Sequence, residues 1–135
     1  MKCEICGERE ATYVCSRCRR LVCSQCFNEM NYLCNHCSRY LDTLRQDYVV
    51  YLSHVQKLCN ELKVRMSTPQ CRLCPIALEL ALTLLKGVRD VKRASEVHRF
   101  DDVTKIADTV EKELTTIAMY FLVSRNLRSL RERVE

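Results

Sequence analysis

From about residue 39 onward, apolar positions recur at helical spacing almost to the end of the chain. Leu41, Leu44, Tyr48, Tyr51, Val55, Leu58 and Leu62 alternate steps of three and four, the seam of a coiled coil or a long helical hairpin. That seam predicts a first helix over 39–66. Ser67-Thr68-Pro69-Gln70 ends it, because proline disfavours a helical residue before it. A second helix is predicted over 75–98, with Pro75 suited to its first turn. The run Ile76 to Leu85 is apolar on most faces, the mark of a helix buried on more than one side, and Val88, Val91 and Val97 continue the stripe. A third helix is predicted over 102–133, capped by Asp101 or Asp102. Val103, Ile106, Val110, Leu114, Ile117 and Phe121 are expected to face inward, followed by Leu127, Leu130 and Val134. Helices spanning roughly 35–45 Å at 1.5 Å per residue close most simply as an antiparallel three-helix bundle. The alternative is a helical hairpin that uses part of the first seam as a dimer interface.

Residues 1–38 read differently and are expected to form a separate small domain before the helical one over 39–135. The chain has 135 residues and is 47% hydrophobic, with two Gly and two Pro. That composition argues against a loop-rich or all-β fold. No run of 18 apolar residues suggests a membrane helix. Met1-Lys2-Cys3-Glu4 opens no apolar signal segment, so an intracellular, cytoplasmic protein with no membrane partner is expected.

Eleven cysteines are present. Eight fall into four Cys-x-x-Cys pairs: Cys3/Cys6, Cys15/Cys18, Cys23/Cys26 and Cys34/Cys37. An odd total without a signal segment disfavours a secreted disulfide scaffold. Two thiolates separated by two residues sit on one tight turn, and two such turns complete a tetrahedral zinc site. Sequential pairing would join the first pair to the second and the third to the fourth. A cross-brace would place Cys3, Cys6, Cys23 and Cys26 on one Zn2+ and Cys15, Cys18, Cys34 and Cys37 on the other. The short gap from Cys18 to Cys23 suits the cross-brace. Four thiolates leave no open coordination position, so both ions are expected to be structural, each contributing on the order of 10 kcal/mol to folding.

Cys3-Glu-Ile-Cys6, Ala11-Thr-Tyr13-Val-Cys15-Ser-Arg-Cys18 and Leu21-Val-Cys23-Ser-Gln-Cys26 together resemble a B-box zinc finger. The resemblance covers residues 1–37. It implies a small zinc-stabilised cross-brace domain, followed by a helical coiled-coil-like region as in tripartite-motif proteins, and a role in protein association or in assisting ubiquitin transfer. B-boxes typically end in histidine ligands, where this chain has Cys34 and Cys37. A RING pattern has a longer first gap and a central histidine ligand. His36, the only histidine in this region, is expected to be exposed.

Cys59, Cys71 and Cys74 remain. A helical hairpin would bring them near one another, as a third zinc site, a disulfide staple or buried free thiols. His54 and His98 are both poorly placed as a fourth ligand, the first by helical phase and the second by distance.

With its ligand cysteines committed to metal, and with no phosphate loop or HExxH motif, the chain is not expected to be an enzyme. The leading expectation is a non-catalytic protein–protein interaction or adapter module, open to homodimerisation through its helical region. Candidate contacts on the finger are Tyr13, Arg17, Arg19, Arg20, Phe27 and Tyr32. The rival expectation is RNA, DNA or ribonucleoprotein binding. The net charge is +5, and Arg17, Arg19 and Arg20 could track phosphates. Arg89, Lys92, Arg93 and Arg99 offer a second basic face, and Arg125, Arg128 and Arg131 recur at helical spacing.

Overall fold

Two short antiparallel ribbons precede three long helices. In the first, β1 (Tyr13–Val14) pairs with β2 (Leu21–Val22), Tyr13 lying opposite Val22. In the second, β3 (Phe27–Asn28) pairs with β4 (Leu33–Cys34), Phe27 lying opposite Cys34. The helices are α1 (Asn35–Met66), α2 (Pro75–Val97) and α3 (Asp101–Val134). The computed structural model describes residues 1–71 and 73–134, apart from the side chains of Ser129 and Val134. The expected inward position of Val134 lies outside the described residues. Two compact units divide the chain, Met1–Gln46 and Asp47–Glu135, and α1 runs through the division.

In the first unit, the buried core consists of Cys3, Cys15, Val22, Cys23, Cys26, Leu33 and Cys34. Only Val22 and Leu33 among these are aliphatic, too small a core to offset the chain entropy of a unit this size. Polar bonds supplement it. Asn28 and Asn31 both donate from their amides to Ser38 Oγ at 3.2 Å, so this buried hydroxyl is satisfied. Tyr13 and Phe27 stack with ring centroids 4.5 Å apart.

In the second unit, α2 and α3 run antiparallel. Ser95 meets Thr104 at 2.8 Å, Lys92 meets Asp108 at 3.1 Å and Arg89 meets Glu111 at 3.9 Å, so partners rise on one helix as they fall on the other. α1 runs in the same direction as α3. Gln56 donates to Glu113 at 2.8 Å, and the Tyr120 hydroxyl donates to the Met66 carbonyl at 3.0 Å. Lys63 also pairs with Glu113. The connection from α2 to α3 is tight: the Phe100 and Arg99 amides return to the Ser95 and Glu96 carbonyls. These are the paired bonds of a Schellman motif, with Arg99 at φ 57° where glycine is usual. Asp101 and Asp102 occupy the first turn of α3, where their charge suits the positive end of the helix dipole.

The core departs from the sequence expectation on every helix. On α1 the residues buried in the helical core are Leu52, Val55, Cys59 and Leu62, flanked by Tyr48 and Met66. Tyr51 and Leu58 are half-buried, and Leu41 packs in the first unit. Both stripes alternate steps of three and four, so spacing alone does not choose between them. On α2, Ala77, Leu78, Ala81, Leu85 and Val88 are buried, but Ile76 is 67% and Leu82 50% exposed. The helix is covered on one side only, its buried residues sharing one face at helical spacing. On α3 the inward set gains Ala107 and Ala118, while Ile106, Leu127 and Leu130 are exposed. No helix among the described residues is long and apolar enough to cross a membrane.

Candidate metal centre

Each cysteine pair sits on a turn that brings backbone amides toward its sulfurs. After Cys3 the chain turns back, so that the Gly7 amide reaches the Cys3 carbonyl at 2.9 Å. After Cys15, Arg19 repeats the bond at 3.0 Å. Gly7 and Arg19 both follow the second cysteine of their pair and adopt φ of 70° and 66°. The Ile5 amide donates to Cys3 Sγ at 3.4 Å. Cys34 directly precedes α1, and its sulfur accepts the Cys37 amide at 3.4 Å, as an N-cap side chain would. The fourth pair is therefore built into the start of the helix, which is why α1 begins at Asn35. Glu4 ties the first turn to β2: its carboxylate accepts the Leu21 amide at 2.8 Å.

Eight sulfurs gather in two groups, Cys3/Cys6/Cys23/Cys26 and Cys15/Cys18/Cys34/Cys37, with all sulfurs of a group within 4.8 Å of one another. The first pair thus joins the third, and the second joins the fourth. Between pairs, Cys6 and Cys23 lie 3.8 Å apart, as do Cys18 and Cys34. A tetrahedron with metal–sulfur bonds near 2.3 Å has an edge of about 3.8 Å, so each group fits a four-thiolate metal ion. A soft, all-sulfur tetrahedral donor set suits zinc.

The electrostatics favour a cation. Burial pushes Cys3 upward, but the amides of Cys6, Cys23 and Ile5 outweigh it and bring the thiol down to about 6. Cys15 likewise falls to about 6, burial being outweighed by the amides of Cys34, Cys18 and Arg17. Burial and the neighbouring thiols instead raise Cys26 and Cys37 to about 12. Each group thus combines sulfurs that ionise readily with sulfurs that hold their proton, since every added negative charge raises the cost of the next. A cation held by the four sulfurs would supply the missing compensation.

The remaining cysteines behave otherwise. Cys59 is fully buried in the helical core, where burial raises its thiol. Cys71 and Cys74 are half-buried. These three sulfurs do not form a group within 4.8 Å, and no disulfide joins them.

The basic candidates separate by partner. Arg17, Arg19 and Arg20 are exposed, and Arg17 lies over the Tyr40 ring at 5.1 Å. Tyr40 had no signal in the cysteine spacing, because it lies outside the finger pattern. Lys92 bonds Asp108 and Glu111, and Arg89 bonds Glu111, so these two members of the second basic face are paired within the fold. Arg93 is exposed, bordering a shallow depression with Leu82, Lys86 and Asp90. His36 is exposed, as expected. Comparison with models of known protein families, with curated proteins and with solved structures returned no match to this chain.

Proposed function

We propose that the eight thiolates hold two structural zinc ions in an interleaved cross-brace, and that the chain is a B-box-like, non-catalytic protein–protein interaction module. The observation that carries this reading is the alternate grouping of four sulfurs with four, at tetrahedral-edge distances. Closed four-sulfur coordination leaves no position for an activated water, so the ions would hold a surface in place. Zinc would also supply the folding free energy that a core with two aliphatic residues lacks, on the order of 10 kcal/mol per site. The surface so held includes Met30, 92% exposed, and Tyr32, 67% exposed. Tyr13 and Phe27 stack on each other against the cysteine core, leaving Arg17, Arg19, Arg20 and Tyr32 as outward contacts.

Paired substitutions test the brace by zinc stoichiometry. Cys3→Ser/Cys23→Ser breaks one group and should leave one zinc per chain. Cys3→Ser/Cys15→Ser breaks both and should leave almost none. The reverse order would mean sequential pairing. The interaction half is tested with a photo-crosslinking residue at Tyr32, which should capture a protein from lysate only while zinc is bound. Capture of RNA alone would sink it.

A second reading, nucleic-acid binding through the finger, is favoured by one observation. Among the described residues, Arg17, Arg19 and Arg20 pair with no carboxylate, unlike Arg89 and Lys92. RNA affinity that falls steeply between about 50 and 300 mM salt would support it, and undetectable affinity throughout would end it.

A further inference from the structure

The apolar and charged faces of α3 exchange sides beyond Phe121. Up to that residue the inward stripe is Val103, Ala107, Val110, Leu114, Ile117 and Phe121. Continued at helical period, the same stripe arrives at Arg125, Arg128 and Glu132. The outward face meanwhile carries Met119, Val123, Leu127 and Leu130, exposed by 53%, 48%, 56% and 55%. Steps of four, four and three put these residues on one face of the helix, and a contiguous exposed apolar patch marks an interaction site.

The turn between α1 and α2 lies beside this part of α3. Pro69 and Leu73 form a groove of about 540 Å³ with Ser124, Leu127, Arg128 and Arg131. A second groove of about 430 Å³ adjoins it through Leu73 and Arg128, and reaches Arg125. From Leu122 to Val134 the chain has four arginines and one glutamate. That glutamate, Glu132, pairs with Arg128 at 3.0 Å. Among the described residues, Arg125 and Arg131 have no carboxylate partner.

We propose that this groove binds an acidic amphipathic helix of a partner protein, whose apolar side chains pack on Leu73 and Leu127 and whose carboxylates meet Arg125, Arg128 and Arg131. Helix-in-groove recognition uses such a combination of apolar anchors and flanking charge, and opposite charge across the contact selects the partner. A second copy docked two-fold through this same face would set arginines against arginines, which is unfavourable. A bilayer could cover the outward ridge but not enter the groove. The surface belongs to the helical unit, so it adds to the interaction reading without depending on zinc.

The test titrates the full, metal-loaded chain into a fluorescein-labelled helical peptide of about 18 residues, with Leu at helical spacing flanked by Glu. Control peptides replace Glu with Gln, or scramble the Leu positions at constant composition. Anisotropy should show binding that weakens about tenfold with the Gln peptide, with Arg128→Ala/Arg131→Ala and with Leu127→Ser, while Arg128→Lys/Arg131→Lys retains most of it. Far-UV circular dichroism should show the same helix content in every variant. No binding, equal binding of the scrambled peptide, or indifference to Arg128→Ala/Arg131→Ala would overturn the proposal. So would a chain dimer dissociated by Leu127→Ser, or binding to anionic vesicles in place of the peptide.

Discussion

Gly7 and Arg19 occupy equivalent positions in two successive cysteine turns, with φ of 70° and 66°. Only one of them is a residue for which that conformation is inexpensive. A left-handed backbone costs an L-residue about 1–2 kcal/mol, against which glycine loses about 0.4–1 kcal/mol more entropy on folding. Arg19→Gly should therefore stabilise the first unit by about 0.5–1 kcal/mol. Gly7→Ala should destabilise it by a similar amount. The second cost is backbone strain alone, because a Cβ at Gly7 would meet nothing within 4 Å. The assay is urea unfolding of the metal-saturated chain at fixed free zinc, following metal release. With an m-value of about 1 kcal/mol/M for so small a unit, the midpoints should move about 0.5–1 M in opposite directions. Arg19→Ala controls for the lost charge and should leave the midpoint nearly unchanged. Two results would refute the reasoning: a lower midpoint for Arg19→Gly, or no change for Gly7→Ala.

Two further perturbations bear on the helical unit. A Cβ at Gly87 would collide with the Tyr51 hydroxyl, whereas the ring Cζ would stand at 3.5 Å, an ordinary contact. Gly87→Ala should destabilise the wild type by about 1 kcal/mol, since overpacking outweighs helix propensity. In a Tyr51→Phe background it should stabilise by about 1 kcal/mol. Thermal melts of the four variants form a double-mutant cycle, and simple additivity would contradict the predicted contact. Lys112 and Lys92 hold the Asp108 carboxyl below its ordinary value of 3.8. A lowered carboxylate contributes stability above its unfolded pKa and loses it as pH falls through the folded one. Asp108→Asn should therefore melt below wild type at pH 7, and the gap should close as pH drops below about 3.8. A gap independent of pH would rule out the ion pairs as its source.

The eight candidate metal ligands and the three helices were legible in the linear sequence, because each rests on local chemistry. A Cys-x-x-Cys turn is written in four residues, and a helix in the recurrence of apolar side chains every three or four. Tertiary structure decided which neighbours those local elements meet. It gathered the sulfurs of the first pair with those of the third, a choice that spacing favoured without excluding the other. It selected Leu52 and Cys59 over Tyr51 and Leu58 for the core, where two stripes of equal periodicity compete. It neutralised Arg89 and Lys92 with carboxylates from α3, and it left Leu127 and Leu130 facing outward, where the inward stripe continued at helical period meets Arg125 and Arg128 instead. Burial and ion pairing depend on which surfaces lie opposite one another, and periodicity within a single helix contains no information about its partner.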